Sequence, residues 1–346
     1  MKAPQRMSFR EIRLGPGFDR EVEQFLRYVD RRLVPFMKQA VDQLPEPKLL
    51  REAVSTQIRT GGKRLRAALC AVSCEMFCGD PIRALAYAAA IEHLQNFTLI
   101  HDDIADGDAE RRSHPTIWKL YGVPHAITIG DVFVALGCTT ILRSIYPDSV
   151  KVRLVRAIAE YGLEIAAGQV MDVEFRTAEH VSTADYLTCT RRKTGAFLAM
   201  AVVGGGIVGG ADDAQLESLA HYAGLAGIAF QIKDDLLDLS GAKGREVGED
   251  IREGKITAVA IHALNRASPA QRERLLGILR KRRRATTSQD VAWVIDLYTK
   301  TEAVRAADVM ANRMIQSASQ HLLALPENDA RARFLQISRY LAQRMR

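Results

Sequence analysis

The sequence predicts an all-α protein, and three observations carry that prediction. Apolar stretches such as 84–94 (ALAYAAAIEHL) and 154–168 (LVRAIAEYGLEIAAG) are rich in Ala and Leu, which favour helix over strand. Alternating β-branched residues bounded by hairpin turns are not found, and neither is a βαβ rhythm. At 346 residues with 47% hydrophobic content, the chain can bury a substantial core.

Residues 1–18, with Pro4, Gly15, Pro16 and Gly17, read as a flexible lead-in to a single domain over 19–346. Helical patterns follow over 19–43, 47–59, 64–78 and 81–105, separated by Pro45, Gly61-Gly62 and Gly79-Asp80-Pro81. The segment 107–115 reads as a loop that ends at Pro115. Further helices are expected over 116–121, 124–144, 149–175, 182–210, 212–239 and 255–265. Ser268-Pro269 has the form of an N-cap serine followed by proline at the first helical position, opening a helix over 269–283. Helices over 287–301, 302–324 and 327–345 complete the set. The glycine cluster 204–210 (GGGIVGG) has no preceding strand and no following Gly-Lys-Ser/Thr, so it reads as close helix packing running into a helix end rather than a phosphate loop.

The net charge of +7 favours anionic partners: nucleic acid, anionic lipid or phosphorylated substrates. The densest basic run, Arg280-Lys281-Arg282-Arg283-Arg284, has no interleaved aromatics and reads as a solvated helix end, so nucleic acid is not expected. Of the five cysteines, Cys70, Cys74 and Cys78 recur every fourth residue on one helix face without a histidine, which suits small buried core residues better than a metal stripe. No uninterrupted apolar span of transmembrane length is read, and the N-terminus (MKAPQRMSFREIRLG) lacks the apolar core of a signal peptide. A cytoplasmic location is expected.

Chemistry enters with a repeated acidic pattern. Asp102-Asp103-Ile104-Ala105-Asp106 and Asp234-Asp235-Leu236-Leu237-Asp238 both read DDxxD, and both continue an apolar helical run. On a helix, Asp102 and Asp106 share one face, as do Asp234 and Asp238. Like charges at that spacing repel unless a cation compensates. Mg²⁺ suits such sites, because it takes one or two carboxylates together with substrate phosphates. A single copy would more often be a solvated helix end; two copies favour Mg²⁺ ions gripping a polyphosphate.

A polyphosphate also needs cationic partners. Gly62-Lys63-Arg64-Leu65-Arg66 opens a helix after a glycine pair, where backbone N–H groups already favour an anion. Arg111-Arg112 lies just beyond the first DDxxD, and Lys193-Thr194-Gly195 interrupts an apolar helix. Gly244-Arg245 and Gly254-Lys255 follow the second DDxxD. Each alone is an ordinary surface charge; five flanking two carboxylate clusters are not readily explained that way.

These segments resemble the trans-isoprenyl diphosphate synthases, the polyprenyl synthase family. The likeness runs from about residue 56 to the C-terminus through GGKRLRAAL, HDDIADGDAERRSHPT, GQVMDVEF, RRKTGAF, FQIKDDLLDL, GREVGEDIREGKIT and LPENDARARFLQISRYLAQR, in family order. It implies an all-α isoprenoid-synthase-type bundle around a deep central cavity, usually homodimeric. The implied reaction is the Mg²⁺-dependent head-to-tail condensation of isopentenyl diphosphate with an allylic diphosphate, with three ions per site. By position, Asp102, Asp103 and Asp106 would bind Mg²⁺ with the allylic diphosphate; Asp234 would hold a further ion, supported by Asp235 and Asp238. Arg111, Lys193, Gln231 and Lys255 would contact the allylic diphosphate, and Lys63, Arg66, Gln95 and Arg112 would form the isopentenyl diphosphate pocket beside Gly62. Carbonyls near Lys193 and Thr194, with the Gln231 oxygen, would face the allylic cation. Four positions depart from the family pattern. Ala67 replaces a frequent proline, Arg245 stands where lysine is common, and Ser113-His114 replaces a glycine-containing pair.

The resemblance also bears on product length. Phe97, five residues before Asp102, matches a position where an aromatic side chain limits elongation, while Thr98 is small where one short-chain subclass carries a second aromatic. Leu94 and His93 lie one turn further back. This combination is most like geranylgeranyl diphosphate synthases, so a C20 product is expected and C15 is the runner-up; core filling is the competing reading of Phe97. A class I terpene cyclase would not need the Lys63 and Arg66 pocket, and a silent partner subunit would be expected to have lost one aspartate cluster.

Overall fold

The computed structural model describes residues 18–240 and 247–343. The lead-in over residues 1–17 and Arg245 lie outside them. In chain order the helices are α1 (Phe18–Asp42), α2 (Lys48–Arg59), α3 (Leu65–Cys78), α4 (Leu85–Asp106), α5 (Ile117–Tyr121), α6 (Val123–Leu142), α7 (Asp148–Phe175) and α8 (Thr183–Thr190). They continue with α9 (Ala196–Gly209), α10 (Asp213–Asp238), α11 (Glu249–Arg252), α12 (Ala258–Arg266), α13 (Pro269–Leu279), α14 (Ser288–Lys300), α15 (Ala303–His321) and α16 (Asp329–Gln343). The all-α expectation is borne out.

The chain divides into two compact units. The first comprises Met1–Arg156, Ala201–Leu216 and Leu323–Tyr340. Its centre is α4, where Leu85, Tyr87–Leu94, Asn96, Ile100 and Asp103 are buried. The C-terminal half of α9 packs against α3 and α4 through the glycine cluster. A Cβ on Gly204 would sit 1.9 Å from the Tyr87 ring, and one on Gly205 2.2 Å from the Cys70 carbonyl oxygen, so only glycine permits this approach. Ser73 Oγ closes the contact by donating to the Val202 carbonyl at 2.6 Å. The helix then ends at Gly209, as the sequence suggests. Cys70 and Cys74 are buried in the same region as free thiols.

The second unit comprises Ala157–Met200, Glu217–Leu322 and Leu341–Arg346. Its core gathers Ile228 and Ile232 of α10, Val259 of α12, Leu275 of α13, Val294, Leu297 and Tyr298 of α14, and Ala307 and Ala311 of α15. Ser268 caps α13 as expected, in a reciprocal pair with Gln271 and with Pro269 at the first turn.

Local structure departs from the sequence reading at several points. The helix expected over 182–210 is interrupted by a π-helical turn, Arg191–Gly195. There Gly195 and Gly227 of α10 are in such close contact that a Cβ on Gly227 would lie 2.4 Å from the Gly195 Cα. The 107–115 loop holds a two-residue antiparallel ladder, Glu110–Arg111 against His114–Pro115, too short for any periodicity to reveal. A one-turn helix, α11, forms where none was expected, and α13 stops at Leu279 rather than 283. By length and composition α6 is apolar enough to cross a membrane, where the sequence reads no uninterrupted apolar span of that length. It carries Asp131 at mid-length, and Ala126, Ile129, Phe133, Leu136 and Ile141 are buried.

Candidate active site

In the first unit, α4 delivers the first DDxxD at its C-terminal end, with Gly107 (φ +70°) terminating the helix. Asp102 and Asp106 stay half-buried, whereas Asp103 is buried. Asp103 accepts a 2.6 Å hydrogen bond from Arg111 Nε, and Arg111 also pairs with Asp108 at 3.6 Å. Burial pushes the Asp103 carboxyl up to about 6, against the pull of Arg111 and with a further push from Asp108 and Asp102. The three aspartates therefore do not share one environment: Asp103 is directed to Arg111.

The turn after Arg111 carries Arg112 and Ser113 at φ +54° and +61°. Arg112 Nη1 donates to the Gly61 carbonyl. The same guanidinium lies 2.9 Å from where a Cβ on Gly62 would be. The fold thus joins the Gly61-Gly62-Lys63 segment to the Arg111-Arg112 turn, 51 positions away. Burial, then Arg111 and Arg64, pull the Arg112 guanidinium below its usual range. Arg66 is half-buried in the first turn of α3, and Lys63 is exposed before it. Arg64, between them, is committed to structure through Glu92 at 2.8 Å and Asp30 at 3.2 Å.

Gln95 Nε2 donates to Thr98 Oγ1 at 3.2 Å, while the buried Gln95 Oε1 has no partner. Phe97 is half-buried, and its ring meets that of His101 edge-on at 4.7 Å. Leu94 is buried, and His93 is fully buried with its ring 5.9 Å from Phe133. Neither nitrogen of His93 has a hydrogen-bond partner, and burial pulls its imidazole down to about 4, helped by Arg64. A cleft of about 520 Å³ between α1, α4 and α6, lined by Phe36, Leu44, Ala86, Val132 and Leu136, contains none of the expected site residues.

In the second unit, α10 ends in the second DDxxD. Asp234 is half-buried; Asp235 and Asp238 are buried. Asp235 accepts from Gln231 Nε2 at 2.8 Å and from the Tyr186 hydroxyl at 2.9 Å. Thr194 Oγ1 in turn donates to Gln231 Oε1 at 2.9 Å. Burial, then the nearby Asp250 charge, drive the Asp235 carboxyl well above the usual carboxylate range, and burial beside Asp235 raises the Tyr186 phenol likewise. Asp238 accepts the Asp250 backbone N–H at 3.1 Å, which ties α11 to the end of α10.

The two expected lysines are already ion-paired: Lys193 with Asp172 at 2.8 Å, and Lys255 with Asp250 at 3.0 Å and Glu253 at 2.6 Å. Lys193 and Thr194 sit in the π turn, where the i→i+5 pattern shifts backbone carbonyls out of the α-helical ladder. Asp172, Tyr186, Asp250 and Glu253 were not singled out by sequence reasoning. Asp172 lies in GQVMDVEF, and Asp250 and Glu253 in GREVGEDIREGKIT, so their motifs were visible though their pairings were not. Nothing in the sequence flags Tyr186.

The donor set fits Mg²⁺. Asp102, Asp106 and Asp234 are half-buried carboxylates near helix C-termini, where the helix dipole disfavours negative charge and a cation relieves it. Among the described residues no three His, Cys, Asp or Glu side chains converge as a complete metal cage. Mg²⁺ usually keeps only one or two carboxylates and takes the rest of its shell from water and phosphate.

Comparison with known proteins agrees with this chemistry. A family model described as Polyprenyl synthetase matches residues 47–298. A short chain isoprenyl diphosphate synthase of Methanothermobacter thermautotrophicus is 34% identical over 327 residues, covering 94% of this chain and 99% of its own. A geranylgeranyl pyrophosphate synthase of Geoglobus acetivorans is 33% identical over 312 residues, covering 86% and 92%. The crystal structure of geranylgeranyl pyrophosphate synthetase from Pyrococcus horikoshii superposes with a TM-score of 0.82 at 32% identity, over 94% of this chain and 98% of that one.

Proposed function

The chain belongs to the polyprenyl synthetase family, and from that premise we propose that it is a trans-prenyltransferase making geranylgeranyl diphosphate (C20). Isopentenyl diphosphate and an allylic diphosphate are its substrates. The observation that carries this reading is the pair of helices, α4 and α10, each ending in an intact DDxxD that leaves carboxylates half-buried: Asp102 and Asp106 on one, Asp234 on the other.

These three carboxylates would hold Mg²⁺, three ions per site, with Asp103, Asp235 and Asp238 as their buried supports. Bound Mg²⁺ supplies positive charge against the departing diphosphate. Arg111, Lys193 and Lys255 bind the allylic diphosphate, and each is oriented by an ion pair with a carboxylate, Asp103, Asp172 and Asp250 in turn. Gly62, Lys63, Arg66, Gln95 and Arg112 bind isopentenyl diphosphate, with Arg112 set against the Gly61-Gly62 turn. Arg245 adds a cation after the second DDxxD.

In the reaction the allylic C–O bond breaks and the diphosphate leaves with the electron pair. The isopentenyl double bond then attacks the allylic carbon, and the resulting cation loses a proton to the released diphosphate. Carbonyls of the Lys193-Thr194 turn and the Gln231 oxygen lend negative dipoles to the allylic cation. Gln231 is held for that task by Thr194 and Asp235. Phe97 ends the space for the growing chain, with Thr98, Leu94 and His93 around it.

We assign the whole of 19–346 to one catalytic domain of a cytoplasmic homodimer. Val123, Ile127 and Leu142, exposed apolar side chains of α6, favour cover by a second copy.

Product analysis by mass spectrometry tests this reading, using purified protein with isopentenyl diphosphate, each allylic primer and Mg²⁺. The expected product is a C20 diphosphate that disappears when a chelator is added. A C15 product would install the farnesyl reading instead. No elongation by folded protein with any primer would overturn the assignment.

A further inference from the structure

We propose that Gly130 and His101 are positioning residues for product length, acting through Phe97. The proposal rests on the reading of Phe97 as the residue that ends the growing chain. Phe97 and His101 are one turn apart on α4 and so share a face. Helical side chains lean toward the N-terminus, which carries the His101 ring onto Phe97, and the two meet edge-on with centroids 4.7 Å apart.

The other side of the His101 ring is seated in α6. Its Nε2 lies 3.2 Å from the Ile127 carbonyl oxygen. The same nitrogen is 3.6 Å from Asp131 Oδ1. Between those two residues in the chain, Gly130 supplies the floor of the seat: a Cβ there would stand 2.3 Å from Nε2 and 2.4 Å from Cδ2. The glycine is helical and has an ordinary φ, so no backbone conformation demands it; what demands it is room for this ring. The imidazole is thereby clamped between α6 and Phe97, and Phe97 inherits its position from α6 although it does not belong to it.

Two substitutions should move Phe97 in opposite senses. His101→Ala removes the ring that braces Phe97, frees the phenyl group to swing, and deepens the space for the chain. Gly130→Ala drives the imidazole out of its seat by roughly 1 Å to restore van der Waals distance. With α6 behind it, the ring moves toward Phe97 and shallows that space. A merely structural role would slow turnover or lower melting temperature without giving shifts of opposite sign.

The test is the product distribution of wild type, Phe97→Ala, His101→Ala and Gly130→Ala, with isopentenyl and geranyl diphosphate as probes. Thermal melting of each variant establishes that it is folded. Phe97→Ala and His101→Ala should raise the ratio of C25 and longer products to C20, by about tenfold for the smaller of the two effects. Gly130→Ala should raise the ratio of C15 to C20. If Phe97→Ala leaves the products unchanged, the chain-length reading itself falls and this inference falls with it. If Phe97→Ala lengthens them while folded His101→Ala does not, or if His101→Ala and Gly130→Ala shift them in the same direction, only the bracing role is overturned. Should Gly130→Ala fail to fold, His101→Ala decides alone.

Discussion

The two DDxxD motifs are identical in pattern and unlike in depth. In the first, only Asp103 is buried; Asp102 and Asp106 remain half-buried on one helix face. In the second, both Asp235 and Asp238 are buried, and Asp234 alone is half-buried. The buried member next to the leading aspartate is handled differently too. Asp103 is matched by a full cation, Arg111. Asp235 is held by two neutral donors, Gln231 and Tyr186, which leaves its carboxyl raised by burial and by Asp250. Five letters therefore encode two half-buried carboxylates in one place and one in the other, because the neighbouring elements decide which aspartates are covered. The first motif meets Arg111 of a basic turn; the second meets Tyr186 of α8 and Asp250 of α11.

The largest expected effect tests this difference directly. Asp102→Asn and Asp234→Asn should each lower kcat/KM by roughly 10³-fold, about 4 kcal/mol of transition-state stabilisation. Asp235→Asn keeps shape and hydrogen-bonding capacity and should lose about tenfold at most. Steady-state kinetics with circular dichroism as a check on folding would decide; equal losses at Asp234 and Asp235 would break the distinction between half-buried and buried aspartates.

A smaller effect follows from His93, nine residues before the first motif. Its imidazole is held neutral by burial, with its folded-state value near 4. The unfolded chain binds that proton near pH 6.5, so the unfolded state gains protons first as pH falls. Stability should therefore drop between about pH 6.5 and pH 4 and level off below, by about 3 kcal/mol from this group. Urea melts across that range should show the loss in wild type and not in His93→Leu. Parallel curves for the two proteins would refute it.

The smallest effect sharpens the comparison at the second motif. Tyr186→Phe removes one of the two donors to Asp235 and should cost about 1 kcal/mol of stability. Because Asp235 also accepts from Gln231, to which Thr194 donates in turn, a modest fall in kcat is expected beside it. A melting temperature identical to wild type would mean that the phenol does not brace the motif.

Much of this site was legible in the chain itself, because its chemistry is written in local spacing. DDxxD continuing an apolar helical run puts its first and last aspartates on one face wherever the helix goes, and the Ser268 and Pro269 start signal works within one turn. What remained hidden was set by partners distant in sequence. Lys193 meets Asp172 across 21 positions, Tyr186 meets Asp235 across 49, and Arg112 reaches Gly61 across 51. The π turn at Arg191–Gly195 is of the same kind, since Gly195 is ordinary in its own segment and unusual only in facing Gly227.

The sequence by itself determined the helical class, most helix limits, the carboxylate pairs and the basic segments beside them. Periodicity and capping act over a few residues and need no third dimension. Tertiary structure alone decided which aspartates stay half-buried, which cations pair with which carboxylates, and why residue 130 must be glycine. Those are questions of burial and clash between elements brought together only by folding, and a residue's letter does not say what will stand 3 Å away from it.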